Sequence, residues 1–109
     1  MNNQSLLFLE QKQELTALWE LHRVADWPVS SIPCEGELMT LDTVVVGCLT
    51  YYFDEHSLDQ QRVEILQDCL GDLEGLLLDL ESEAKTYFER LKRLGELLLA
   101  IGRSSLPFS

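Results

Sequence analysis

Apolar residues recur at alternating intervals of three and four along the second half of the chain, without a break in phase. This spacing places them on one face of an α-helix, at the first and fourth positions of a heptad repeat. We call this set the heptad seam. It comprises Val63, Leu66, Leu70, Leu73, Leu77, Leu80, Ala84, Tyr87, Leu91, Leu94, Leu98 and Ile101. The pattern predicts one long amphipathic helix over about residues 58–101.

A shorter helix is predicted at the start of the chain. The helical spacing of Phe8, Leu15 and Leu18 indicates a first helix over about residues 5–25. Pro28 would end it, because the residue before a proline avoids helical backbone angles.

A second helix is predicted over about residues 37–55, but this segment also has an alternative. Its runs 44–46 and 51–53 consist of strong strand formers. A strand here would lack partners, because no other segment has strand composition. Ser57 and Gln60 have the spacing of a capping box, which predicts a corner followed by the third helix. The second and third helices should therefore form an antiparallel hairpin.

The predicted third helix is too long for the rest of the chain to cover. A helix of about 44 residues is about 65 Å long, whereas the two preceding helices would each span about 30 Å. The expected fold class is therefore all-α, a three-helix arrangement forming one domain over residues 1–109, with residues 1–4 and 104–109 frayed. The uncovered part of the heptad seam predicts a homodimer. The interface candidates are Leu77, Leu80, Tyr87, Leu91, Leu94, Leu98 and Ile101.

An alternative to the dimer is a chain that folds back on itself. Gly71 and Gly75 are the candidate break points, because each costs about 1 kcal/mol relative to alanine inside a helix. A break there would give a compact four-helix bundle. The unbroken phase of the seam through both glycines favours the continuous helix.

The formal net charge of the 109-residue chain is −11. Such a charge repels nucleic acid and anionic membranes, so neither is expected as a partner, and it leaves room for a basic protein partner. Residues 54–83 hold ten acidic residues and one base, whereas residues 84–103 hold five bases and two acids. This order opposes the helix dipole favourably, so it supports a single long helix paired antiparallel with a second copy.

Few residues suggest a catalytic or metal-binding role. Asp54, Glu55, His56 and Asp59 group three carboxylates with one imidazole, but their spacing matches no metal motif, and a helix corner is normally polar. His22 lies on the apolar stripe of the first helix and is expected to be a packing residue with one hydrogen bond. With no recognisable catalytic motif, the sequence predicts no catalytic residue, no metal site and no cofactor.

The loop after the first helix carries a candidate docking residue, Trp27, which is followed by Val29 and Ile32. Apolar side chains on a loop can bind a partner, although this loop could instead cover the core as a lid. Cys34 lies on the same loop. The three cysteines of the chain follow no pairing pattern, so we expect free thiols in a reducing, cytoplasmic environment.

These observations predict a non-catalytic, acidic helical bundle that acts as a homodimeric protein-interaction module, such as an adaptor, a small chaperone or a regulatory subunit. Two alternatives remain. One is a bundle that binds a ligand or a metal ion. The other is an acidic inhibitor of the immunity type that imitates nucleic acid and occupies a basic site.

Overall fold

The described part of the chain folds into four α-helices instead of the predicted three. The computed structural model describes residues 3–29 and 32–104, which form α1 (Asn3–Val24), α2 (Glu35–Glu55), α3 (Gln60–Leu77) and α4 (Ser82–Ser104). No strand occurs within these ranges, so the all-α class is confirmed. The fraying predicted for the two chain ends falls almost entirely outside the described residues. None of the described helices combines the length and the hydropathy needed to cross a membrane.

The long helix predicted over residues 58–101 is wrong. The longest dimension of the molecule is 48 Å, shorter than the roughly 65 Å that a continuous helix would need. The chain turns back at residues 78–81, and both Gly71 and Gly75 lie within α3. The alternative of a folded-back four-helix bundle therefore matches the structure, but the predicted break points do not.

The turn between α3 and α4 explains why the sequence pattern did not reveal it. The N–H of Leu80 donates to the carbonyl of Leu77 over 3.1 Å, which tightens the end of α3. Ser82 then adopts a left-handed φ of 53°, and α4 starts in a new direction. The interruption covers four residues, about one helical turn, so the heptad seam keeps its phase across it.

Helix α4 lies at the centre of the bundle and packs against the other three helices. Glu14 pairs with Arg93 and His22 with Arg90, so α4 runs antiparallel to α1. Leu58 packs against Gly102 and Leu70 against Gly95, so α4 also runs antiparallel to α3. The most deeply buried side chains, each less than 2% exposed, are Leu15, Leu38, Val45, Leu49, Leu66, Leu73, Phe88, Leu91, Leu94, Leu97, Leu98 and Ile101.

Two glycines allow α4 to approach its neighbours closely. A Cβ atom on Gly95 would lie 2.6 Å from Cδ2 of Leu70, and one on Gly102 would lie 2.6 Å from Cδ1 of Leu58. Both distances are shorter than van der Waals contact. Glycine at these two positions therefore lets the Leu70 and Leu58 side chains lie directly against the backbone of α4.

The corner between α2 and α3 is capped by a residue that the sequence analysis did not choose. The carboxylate of Asp59 accepts a hydrogen bond from the backbone N–H of Arg62 over 2.8 Å, so Asp59 caps α3. The predicted capping box of Ser57 and Gln60 is therefore wrong by two residues, because aspartate caps a helix as well as serine does. His56 ends α2 in the left-handed conformation.

Candidate binding cleft

An open cleft of about 770 Å³ lies at the end of the bundle where the α1–α2 loop meets the start of α4. The loop supplies one wall and the first turns of α4 supply the other. We call it the loop-end cleft. Its lining residues are Ala25, Asp26, Trp27, Pro28, Val29, Ser82, Glu83, Thr86, Tyr87 and Arg90.

Trp27, the predicted docking residue, forms part of the wall and is half-buried. Its ring meets the rings of Tyr87 and Phe88 edge to face, with both centroid distances at 5.4 Å. Its indole Nε1 donates to Oε2 of Glu35 over 2.8 Å, which ties the loop to the first turn of α2. The loop therefore covers the end of the core, as the lid alternative expected, and also leaves one side of the cleft open.

A partly buried polar network adjoins the cleft through Tyr87 and Arg90 and joins α1, α2 and α4. Nε2 of His22 lies 2.9 Å from Oδ1 of Asp42, and the hydroxyl of Tyr87 donates to the same oxygen over 3.2 Å. On its other side, Nδ1 of His22 accepts a hydrogen bond from Nε of Arg90 over 3.3 Å. His22 is only 5% exposed.

The partners of His22 select one tautomer of its ring. The Nε of Arg90 can only donate, so Nδ1 of His22 must accept and carries no proton. The proton is then on Nε2, where it is donated to Asp42. Both ring nitrogens are occupied, and the imidazole bridges the partly buried carboxylate of Asp42 and guanidinium of Arg90.

The same network changes the acidity of Tyr87. Burial of the phenol, together with the adjacent negative charge of Asp42, raises the pKa of Tyr87 to about 12. The hydroxyl therefore stays protonated and continues to donate to Asp42 throughout the physiological range. Tyr87 also packs on the imidazole of His22, with 4.7 Å between the ring centroids. Tyr87 thus links the network to the cleft wall.

The two most exposed large apolar side chains of the described chain lie at this end of the bundle. Val29, in the cleft wall, is 89% exposed, and Leu78, in the α3–α4 turn, is 87% exposed. Scattered exposed apolar residues are normal on a protein surface. Val29 lines the loop-end cleft, and Leu78 lies in the turn that precedes α4.

This end of the bundle is also acidic. Asp26 and Glu83 line the cleft, and Asp79 and Glu81 lie in the nearby turn; all four are exposed. Within the described part of the chain, none of these four carboxylates forms an ion pair. Arg90 is the basic residue of the cleft lining, and its Nε is engaged by His22.

The seven residues predicted as a dimer interface lie in the core of a single chain or at its edge, so the prediction that they contact a second copy is corrected. Leu77 is partly buried at the edge of the core. The other six are each at most 8% exposed: Leu80, Tyr87, Leu91, Leu94, Leu98 and Ile101. The turn at residues 78–81 folds α4 back, so α1, α2 and α3 cover the seam that a second copy was expected to cover.

The corner at residues 54–59 does not assemble a metal site. Asp59 is engaged by Arg62 through both its backbone N–H and its guanidinium, and His56 is exposed. Within the described ranges, no group of three or more His, Cys, Asp or Glu side chains is arranged to hold a metal ion. The polar character of this corner is accounted for by helix capping.

The three cysteines are free thiols. Cys34 is exposed beside the loop, whereas Cys48 and Cys69 are buried. Burial raises the pKa of both buried thiols, so neither is disposed to react.

Sequence reasoning placed His22 in the core but missed the network around it. Asp42 and Arg90 lie 20 and 68 residues away from His22 along the chain. Asp42 occupies a position next to the buried stripe of α2, and this was the only local sign of its role.

Comparison with known proteins adds no relative: no family model matches the chain, and no curated protein or solved structure is significantly similar to it.

Proposed function

We propose that the protein is a non-catalytic interaction module that binds a segment of another protein in the loop-end cleft, in the manner of an adaptor, small chaperone or regulatory subunit. The single observation that carries the proposal is the coincidence, at one end of the bundle, of an open cleft, exposed Val29 and Leu78, and unpaired carboxylates. The expected partner segment combines a large apolar side chain with lysine or arginine residues.

The shape of the cleft supports an apolar anchor in that segment. The cleft wall presents the ring of Trp27 and the side chain of Val29, and Tyr87 and Phe88 pack edge to face against Trp27. Aromatic residues held in place by packing make good anchor sites because little conformational entropy is lost on binding.

The charge at this end supports a basic partner. Asp26 and Glu83 in the lining, with Asp79 and Glu81 nearby, lack internal ion pairs and would gain them from lysine or arginine. Complementary charge raises the rate of association and excludes acidic competitors. It also disfavours a second copy of this acidic chain at this surface.

The polar network favours binding over catalysis. His22 and Asp42 form a pair that resembles part of a catalytic group, but both imidazole nitrogens are engaged and the ring is buried. A general base needs a free nitrogen within reach of its substrate. We therefore assign the network to structural support of the cleft wall.

The proposal is tested with three short labelled peptides. The first carries a Leu-Phe pair flanked by lysines, the second has glutamates in place of the lysines, and the third has a Ser-Ser pair between the lysines. The first should bind with micromolar affinity and change the fluorescence of Trp27. The other two should bind at least about tenfold more weakly, because each lacks one of the two expected contributions.

Two variants and one control locate the site. Val29→Ser and Glu83→Gln should weaken binding of the first peptide. Glu55→Gln, which removes an exposed carboxylate at the opposite end of the bundle, should not. Equal binding of both lysine peptides, lost steeply with salt, would instead favour the nucleic-acid-mimicking alternative, because charge alone would then dominate. No binding of the first peptide at millimolar concentration would refute the proposal.

A further inference from the structure

His22 is a buried side chain of a type whose charge changes near neutral pH. Imidazole is the side-chain group that titrates between roughly pH 5 and 8. The ring of His22 is 5% exposed, and its two nitrogens form hydrogen bonds to α2 and to α4. The other histidine, His56, is exposed at the α2–α3 corner. Protonation of His22 therefore acts on contacts between helices, whereas protonation of His56 acts at the surface.

The two hydrogen bonds of His22 respond to protonation in opposite ways. On the α2 side, Nε2 donates to the carboxylate of Asp42, and a positive ring strengthens that bond. On the α4 side, Nδ1 accepts from Nε of Arg90 over 3.3 Å. A proton on Nδ1 would place two N–H donors and two positive charges against each other. Arg90 is therefore the partner that must move away, whereas Asp42 stays.

The other polar groups around the ring do not reverse this outcome. From α4, the hydroxyl of Tyr87 donates to Asp42, and the phenol is uncharged at neutral and acidic pH. On α1 itself, the neighbouring Arg23 forms an ion pair with Glu20. Helix α3 does not pack against α1. Of the groups hydrogen-bonded to the ring within the described chain, Asp42 is thus the anion and Arg90 the cation.

Arg90 has an open space into which it can move. Its partly buried side chain lines the loop-end cleft together with Asp26 from the loop and Glu83 from the first turn of α4. Helical spacing puts Glu83 and Arg90 on the same face of α4. Neither carboxylate forms an ion pair within the described part of the chain. A guanidinium released from His22 can therefore turn toward two carboxylates that attract it.

We propose that His22 is a proton-sensitive switch of the loop-end cleft: when Nδ1 takes up a proton from solvent, Arg90 leaves the ring and turns toward the carboxylates of the cleft. At neutral pH, Arg90 is held by the ring, and the carboxylates are free to bind a basic segment. In mildly acidic solution Arg90 competes for them, so the segment is released. This effect on binding rests on the proposed function, whereas the movement of Arg90 does not.

Nitrogen NMR spectra of the isotope-labelled full chain test the movement without any ligand, between about pH 7.5 and about pH 5.5. At the upper pH, the His22 ring should carry its proton on Nε2 only. As Nδ1 is protonated, the Nε–H resonance of Arg90 should shift with the same midpoint. The His56→Asn variant assigns the two imidazoles. A His22 ring that stays neutral over this interval would overturn the proposal, and so would an unchanged Arg90 resonance.

Binding of the lysine-flanked Leu-Phe peptide tests the consequence for the cleft. The amino terminus of the peptide is acetylated, so its positive charge is the same at both pH values. The native protein should bind the peptide at least about fivefold more weakly at the lower pH, a loss typical of one surface ion pair. His56→Asn removes the exposed histidine and should keep this whole difference.

Arg90→Gln isolates the role of the arginine. The amide nitrogen of glutamine occupies the same place along the side chain as Nε of arginine, so it can donate to a neutral Nδ1. When the amide turns over, its oxygen can accept from the protonated ring. No cation is released, so the affinities of this variant at the two pH values should be nearly equal. A folded Arg90→Gln protein, checked by circular dichroism, that keeps the native pH dependence would contradict the switch.

The two readouts separate failure of the switch from failure of the proposed function. If the peptide binds at neither pH, the proposed function fails, and the spectra of His22 and Arg90 alone decide whether the switch exists. If the native protein binds the peptide equally at both pH values, the proposed function stands and its regulation by His22 is refuted.

Discussion

Arg90 donates a hydrogen bond from Nε to Nδ1 of His22 over 3.3 Å, and so links the fourth helix to the first. Because the opposite nitrogen of the same ring is bonded to Asp42 of α2, one buried imidazole connects three helices. This is the one place in the described chain where side-chain hydrogen bonds join three helices around the wall of the loop-end cleft.

Replacing His22 should destabilise the fold strongly. His22→Asn is too short to reach both Asp42 and Arg90, so two partly buried charged groups lose their bridging partner. We expect the free energy of unfolding to fall by about 1–3 kcal/mol, measured by urea denaturation. The control is the other histidine, His56, whose side chain is exposed and whose backbone is left-handed. Asparagine tolerates that backbone conformation, so His56→Asn should change the free energy of unfolding by less than about 0.5 kcal/mol. Equal effects of the two substitutions would contradict the assigned network.

Stability should fall in alkaline solution because of Tyr87. An unfolded tyrosine ionises near pH 10, whereas the pKa of Tyr87 in the folded chain is about 12. The unfolded state therefore loses its proton first, and the free energy of unfolding should decrease by about 2–3 kcal/mol as the pH rises from 10 to 12. Below pH 10 this contribution is constant.

Two phenylalanine variants separate the causes of that alkaline effect. Tyr87→Phe should remove most of the decrease between pH 10 and 12. Tyr52→Phe should remove less, because burial alone raises the pKa of Tyr52, with no contact to Asp42. An unchanged alkaline profile in Tyr87→Phe would show that its phenol does not carry the effect.

Alanine should act in opposite directions at two glycines. At Gly75 a Cβ atom would meet nothing within 4 Å, so Gly75→Ala should stabilise the chain by about 0.5–1 kcal/mol through helix propensity. At Gly102 the new Cβ atom would lie 2.6 Å from Cδ1 of Leu58, and also within 3.3 Å of its Cγ and Cβ. Gly102→Ala should therefore destabilise the chain by about 1–3 kcal/mol. Thermal unfolding of the two variants measures both shifts, and shifts of the same sign would show that α4 does not pack closely on Leu58.

The three thiols should react in two classes. Cys34 is exposed and should be modified rapidly by a thiol reagent in the native protein. Cys48 and Cys69 are buried, with their pKa values raised, and should react only as fast as the chain opens. The absorbance of the chromophore that the reagent releases should therefore rise in two phases, with one equivalent of thiol reacting fast and two reacting slowly. A Cys34→Ser variant should lose the fast phase, and a second fast phase would indicate that the α2–α3 packing is open.

The sequence predicted local structure well where the information is local. The first two helices were placed within two residues at each end, and the apolar stripe of α2 from Leu38 to Tyr52 is buried as its spacing implies. The heptad seam also points into the core along its whole length, apart from partly buried Leu70 and Leu77. These results follow from helical periodicity, which fixes the direction of each side chain relative to its neighbours in sequence.

Helical periodicity could not predict the position at which the chain reverses direction. The turn at residues 78–81 preserves the phase of the seam, so the spacing of Leu77, Leu80 and Ala84 is the same for a continuous helix and for a hairpin. The glycines at positions 71 and 75 were misleading, since both are accommodated within α3. The charge order along residues 54–103, interpreted as a single helix dipole, reflects instead an acidic α3 followed by an α4 with more bases than acids.

The sequence by itself determined which residues are apolar, how they are spaced, and therefore which face of each helix must leave water. The tertiary structure decided what covers those faces: α4 folds back into its own chain, and His22, Asp42, Tyr87 and Arg90 meet although up to 68 residues separate them. The physical reason is that apolar burial is non-directional. It requires a cover for the seam, but only the three-dimensional path of the chain determines whether that cover is the same molecule or another one.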